Sequence, residues 1–306
     1  EQVSKWLIAD TGNDPDRCAR LCGCFDRASR PFFEQAMQHL SDIDLSNWSG
    51  EQRMTVWDKL RDIHTHHTIY QKQPSSMPSD LLGLLAIQMK RYEPLDPHLR
   101  YRWLFNGAHS LPEEDVDGHE EVQNRLSAEG AKAILDHGGV EAVQNMTLTS
   151  ENAGLLADAC GRISLSDAHE FALLDWSVGH GDGKVGWFAR ALVNSLYRVK
   201  GWYWVDSVME NEDWLSWPEP KKAAFFAALP FEPATWDRAA SLGSGSKSAY
   251  WKTCVPRGRM DAERSLFAAE RYLENGRPLR ALTAALRHGR GDKCEAPTEL
   301  LTSALE

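Results

Sequence analysis

His64-x-His66-His67 is the first stretch whose residue types and spacing could do chemistry. On a helix His64 and His67 lie three apart on one face, so two imidazoles could share a metal ion. Catalytic zinc needs a third protein ligand and an open position, and neither an H-E-x-x-H pattern nor a cysteine pair stands nearby. The expected reading is a polar helix end, where imidazoles suit the C-terminal dipole. Cys18, Cys22 and Cys24 bring three thiols close together in sequence. Structural zinc sites repeat a C-x2–4-C pair, and no second pair follows here, so packing or surface thiols are expected.

Other letter patterns fail on chemistry. Gly179-His180-Gly181-Asp182-Gly183-Lys184 has the glycines of a phosphate loop, but Val185 follows the lysine where Ser or Thr would hold magnesium. A helix also precedes it where a strand is required, so it reads as a glycine-rich turn between helices. His119-Glu120-Glu121 lacks a histidine four residues on. Ser244-Gly245-Ser246-Lys247 fits S-x-x-K only by letter, with no companion motif. No metal, cofactor or catalytic residue is expected. An α-helical enzyme with a dispersed His/Asp/Glu site stays as the alternative.

Binding is better supported by composition. The chain has 12 tryptophans, of which Trp202, Trp204, Trp214 and Trp217 are concentrated in one short stretch. Helix–helix packing accounts for most such residues, but tryptophan is also a favoured interface anchor, which singles out Trp202 and Trp204. The net charge is −10, which argues against a non-specific nucleic-acid binder. Against that background residues 250–293 carry ten Lys and Arg and five Asp and Glu. Arg271, Arg277, Arg280 and Arg287 are its candidate docking residues, for a protein or peptide, with nucleic acid as the alternative partner.

The elements that would position these residues are helices. No run shows the alternation of a strand bounded by turns, so no sheet is expected. Ser49 and Ser166 stand where N-caps belong, and Ser150 is read as a third. Gly138-Gly139 breaks a helix that begins near Glu120. Leu266, Ala269 and Leu273, then Leu279, Leu282 and Leu286, repeat at i, i+3 and i+7 as the inward faces of two helices. Asn275-Gly276 ends the first of these and Pro278 opens the second, an αα-hairpin from Ala262 to Gly289. A last helix is expected after Pro297.

The expected fold is all-α, an irregular α-solenoid of successive αα-hairpins similar to tetratricopeptide or HEAT arrays. Residues 1–49 are expected to be an irregular segment with one helix. Residues 50–306 are expected to be the repeat domain, with a sub-boundary near 162–166. No apolar run approaches the roughly 20 residues of a membrane span. Six cysteines, sparse and irregularly spaced, fit free thiols in a reducing cytosol. EQVSKWLIAD has neither an initiator Met nor a signal peptide, so a fragment of a longer protein is expected.

Several stretches carry a family resemblance: Tyr92–Phe105 (YEPLDPHLRYRWLF), Leu229–Asp237 (LPFEPATWD), Ala249–Val255 (AYWKTCV) and ENGRPLRALTAAL within the hairpin. They resemble the helical-repeat regions of very large bacterial multidomain proteins. Some of these are similar to signal-transducing NTPases with C-terminal helical sensor arrays. The resemblance covers residues 50–306 and carries no catalytic residue. It implies a non-catalytic interaction or sensor module that binds a protein or peptide, or docks other domains of its own polypeptide.

Overall fold

The computed structural model describes residues 2–71, 73, 76–107, 119–256 and 260–286. Its regular elements are all helical, with no strand among the described residues. The chain divides into two compact units, Glu1–Asn152 and Ala153–Glu306.

The first unit holds α1 (Gln2–Thr11), α2 (Pro15–Cys22), α3 (Arg30–Asp42), α4 (Gly50–Ile69), α5 (Ser79–Tyr92), α6 (Pro97–Tyr101) and α7 (His119–Thr149), with 3-10 turns at Phe25–Arg27 and Arg102–Phe105. Its first 49 residues are not the irregular segment the sequence suggested. They form three α-helices and supply more than half of one core cluster, in which Cys18, Cys22, Phe33 and Leu40 pack with Val56, Leu60, Leu85 and Tyr92. The Tyr92 hydroxyl donates to the Leu40 carbonyl at 2.9 Å, tying α5 to α3. A chain break at 49/50 would expose that apolar surface, so these helices fold with α4 and α5. The glycine break is where it was expected, at Gly138 and Gly139, inside α7.

Ser49 closes a full capping box. Its hydroxyl accepts from Gln52 N while Gln52 Oε1 accepts from Ser49 N, an arrangement worth about 1 kcal/mol. Ser150 does not cap a helix. Its N–H donates to the Met146 carbonyl at the end of α7.

The second unit holds α8 (Ala153–Arg162), α9 (Asp167–Ser177), α10 (Lys184–Glu210), α11 (Glu212–Ser216), α12 (Glu219–Ala228), α13 (Pro233–Ser241), α14 (Ser244–Thr253), α15 (Ala262–Glu274) and α16 (Pro278–Leu286). Within it α8 packs on α10, α10 on α12, α12 on α14, and α15 on α16. Small residues permit the closest of these approaches. A Cβ on Gly161 would stand 2.5 Å from the side chain of Ser195, and the Ser195 hydroxyl donates to the Asp158 carbonyl at 3.0 Å.

The α15–α16 hairpin forms with the expected stops. Gly276 has φ 69°, and its N–H and that of Arg277 donate to the carbonyls of Leu273 and Tyr272. That is the Schellman pattern, available because glycine lacks a Cβ. Its inward faces differ from the expected leucine stripes. Ala268, Ala269 and Tyr272 face inward on α15, and Ala281, Ala284 and Ala285 on α16, while Leu279 and Leu286 are 77% and 59% exposed. Two short helices packed closely bring alanines together at the crossing, which pushes the longer leucines outward.

Candidate functional site

Helix α9 starts at Ser166, whose hydroxyl accepts from His169 N at 3.2 Å. That start fixes the register of Asp167, Glu170, Phe171 and Asp175 along one side of α9. Opposite them, α10 is interrupted at Gly201, with φ 68° and ψ −160°. Only glycine takes that conformation without strain, and it turns the last stretch of α10 so that Tyr203, Trp204 and Ser207 face α9. Asn211 then accepts from Asp213 N at 2.8 Å and starts α11.

Two adjoining hollows result, of about 360 and 530 Å³, sharing Asp167, Phe171 and Asn211 in their walls. Glu170, only 6% exposed, is held in the first. One carboxylate oxygen is paired with the Lys200 ammonium, and the other accepts from the Trp204 indole N–H. Asp175 receives the Lys221 ammonium, which also stands 4.3 Å from the Trp217 ring centroid. Asp167 and Asp213 are exposed and have no ion-pair partner among the described residues. Tyr203 stands 87% exposed at the rim. The groove is thus acidic above an aromatic floor, and its cations are already engaged by Glu170 and Asp175. Such a surface attracts positive charge and can stack a planar guanidinium or aromatic group.

Comparison with protein-family models, curated proteins and solved structures gives no match to this chain.

The sequence-selected docking residues are distributed differently. Trp204 is buried; besides the Glu170 bond its ring lies 5.7 Å from Phe225. Trp202 is half-buried, between Tyr197 at 4.9 Å and the Arg238 guanidinium at 4.2 Å. The exposed aromatic of this stretch is their neighbour Tyr203, missed because the kink at Gly201 changes which side of the helix faces water. Arg271 pairs with Glu274 at 2.7 Å and lies over the Phe267 ring. Arg277 donates to the carbonyls of Trp251 and Cys254 at 3.0 and 2.6 Å, closing the C-terminus of α14. These two arginines are structural. Arg280 is half-buried with no ion pair among the described residues, and Arg287 lies outside them.

The possible metal ligands do not converge. Among the described residues no group of three or more His, Cys, Asp or Glu is placed to hold an ion. His67 is buried, its Nδ1 accepting from Met77 N at 3.1 Å and its Nε2 donating to Asp26 at 3.2 Å. It ties the end of α4 to two loops. Cys18 and Cys22 are buried free thiols. Burial pushes Cys18 up to about 12 and raises Cys22 as well, so neither is a thiolate near neutral pH. Gly179–Gly183 is the inter-helix turn expected, with the Gly181 carbonyl pressed against Gly186. The Ser244–Lys247 pattern lies in the first turn of α14. No described helix is long and apolar enough to cross a membrane.

Proposed function

We propose that this chain is a non-catalytic recognition module, and that its groove between α9 and the end of α10 takes a basic segment of a partner protein. The observation that carries the reading is the pair of unneutralised carboxylates, Asp167 and Asp213, flanking the hollows beside the exposed ring of Tyr203. An acidic chain of net charge −10 adds long-range attraction for such a partner. The alternating pairings α8 with α10, α10 with α12 and α12 with α14 support the stacked-hairpin, solenoid-like organisation, whose exposed faces serve binding. The resemblance to sensor arrays of large bacterial proteins points the same way. Partner polarity is the reverse of that suggested by the arginine-rich region. Arg271 and Arg277 are engaged in internal contacts, which weakens both the acidic-partner and the nucleic-acid readings.

The test is calorimetric titration with an Arg- and Lys-rich peptide and with its Glu-substituted counterpart, at two salt concentrations. The basic peptide is expected to bind, more weakly at high salt. Asp167→Asn with Asp213→Asn is expected to weaken it by about tenfold. Equal binding of the acidic peptide, or no effect of the double variant, would refute the groove assignment.

A further inference from the structure

The chain repeatedly holds its own arginines between a carboxylate and an aromatic ring. Arg238 donates through Nε and Nη2 to the two oxygens of Asp206, at 2.8 and 3.1 Å, while its guanidinium carbon stands 4.2 Å from the Trp202 ring centroid. In the first unit Arg61 donates to Asp58 at 3.2 and 2.9 Å, with the Trp103 ring centroid 3.9 Å away. Arg271 pairs with Glu274 at 2.7 Å and lies 5.0 Å from the Phe267 ring centroid. A guanidinium suits such a place because its edge donates to a carboxylate while its weakly hydrated face lies on a ring.

The first hollow of the acidic groove presents the same two partners. Asp167 and Tyr203 both line it. Asp167 is exposed and pairs with no Lys or Arg among the described residues. Tyr203 is 87% exposed, and its ring meets no aromatic or cationic group among them. The other ionic groups of this wall satisfy each other, since Glu170 is matched by Lys200 and by the Trp204 indole N–H. The wall therefore keeps one surplus negative charge, that of Asp167. Ser207, exposed in the same wall, makes no side-chain hydrogen bond among the described residues, so its hydroxyl can accept a further N–H. A lysine ammonium can also pair with Asp167, but it has no flat face to lay on Tyr203 and gives up its water less readily.

We infer that the cation taken by the groove is the guanidinium of an arginine on the partner, paired edge-on with Asp167 and stacked on Tyr203, and that lysine is discriminated against. The inference rests on the basic-segment reading of the groove and adds to it the residue type that is recognised.

The test is calorimetry of the full chain with two peptides of equal length and charge, one with arginine at every basic position and one with lysine, at two salt concentrations. The arginine peptide is expected to bind about tenfold more tightly. Tyr203→Ala and Asp167→Ala alter exposed side chains, so both keep the fold. Each is expected to cut the preference for arginine to about threefold or less. Tyr203→Phe keeps the ring and is expected to keep the preference. Salt-dependent binding of both peptides with equal affinity would leave the basic-segment reading standing and overturn the arginine assignment. An undiminished preference in Tyr203→Ala or Asp167→Ala would also overturn it, because the discrimination would then arise outside this hollow. Binding of neither peptide would refute the groove reading, and the arginine assignment with it.

Discussion

Two nine-tenths-buried charged side chains, Glu170 in the second unit and Arg61 in the first, sit in the walls of hollows of similar size. Glu170 has both oxygens occupied, by an ammonium and by an indole N–H. Arg61 has one nitrogen left over. The difference separates a charge whose polar atoms are all matched from one that keeps a buried donor unmatched. A satisfied buried ion fixes its neighbours, whereas an unsatisfied one carries a desolvation cost that the rest of the fold must offset. The two should respond differently to removal. Glu170→Leu deletes an acceptor on which two buried or half-buried donors depend. It is expected to destabilise the second unit by about 2–3 kcal/mol in urea unfolding, below the full cost of breaking a buried pair because Lys200 can turn to water. A loss under 0.5 kcal/mol, as for an ordinary surface change, would mean that Glu170 holds nothing in place.

The next largest effect concerns how the groove is shaped. Gly201→Ala forces a Cβ into a positive-φ, extended-ψ conformation that is essentially reserved for glycine, with open space around it, so the cost is backbone strain and not collision, about 1–3 kcal/mol. If the kink aims Tyr203 at the groove, this variant is also expected to weaken the basic peptide. Full peptide affinity in a chain destabilised by that amount would separate the kink from the binding surface.

Arg61→Met tests the other half of the contrast. It replaces an incompletely satisfied guanidinium by an apolar chain of similar length beside Trp57 and Trp103. Asp58, left without its partner, is half exposed and solvated. The expected change is within about 1 kcal/mol of zero and of either sign, since apolar replacements of buried ions are often neutral or stabilising. A loss as large as that of Glu170→Leu would make Arg61 a wall residue like Glu170 despite its unmatched nitrogen.

The contrast between these two residues was not legible in the sequence, although much of the scaffold was. Caps and stops are local chemistry, so Ser49, Ser166, Gly138-Gly139, Gly276 and Pro278 could be read off one by one. Facing is a tertiary property. On α15 and α16 the alanines and leucines both repeat with helical spacing, and only the closeness of the partner helix decides which set turns inward. The same holds for Trp204 and Tyr203: neighbours on one helix point about 100° apart, and the torsion at Gly201 sets which of them turns inward. Asp58-x-x-Arg61 is an i, i+3 ion pair visible in the sequence, but nothing there places Trp103 over the guanidinium 42 positions later. The arginine-rich C-terminal region shows the same limit of sequence reading. Charge density drew attention to Arg271 and Arg277, whereas their donors close helix ends and pair within the hairpin.

The smallest expected difference between the units is their response to mild acid. In the first unit His64 and His98 are held below the ordinary imidazole value, mainly because half-burial disfavours the charged ring. Their folded forms resist a proton that the unfolded chain accepts near 6.5. The unfolded state therefore binds more protons below that value, and stability falls as pH drops from about 7 towards the depressed folded values. The carboxylates act later and in both units. Asp44 and Asp80 in the first unit and Asp206 in the second are held below the usual range by hydrogen bonds, to Ser46, Arg30 and Arg238 respectively. Their contribution is complete above about pH 4 and is lost as pH falls through the lower folded values. Amide exchange read unit by unit should show protection falling in the first unit between about pH 7 and 5 while the second holds, with both weakening only below about pH 4 once intrinsic exchange is corrected. Equal losses in both units across the higher window would mean that neither histidine is desolvated enough to matter. The first unit's marginal titration would then vanish as a distinction between them.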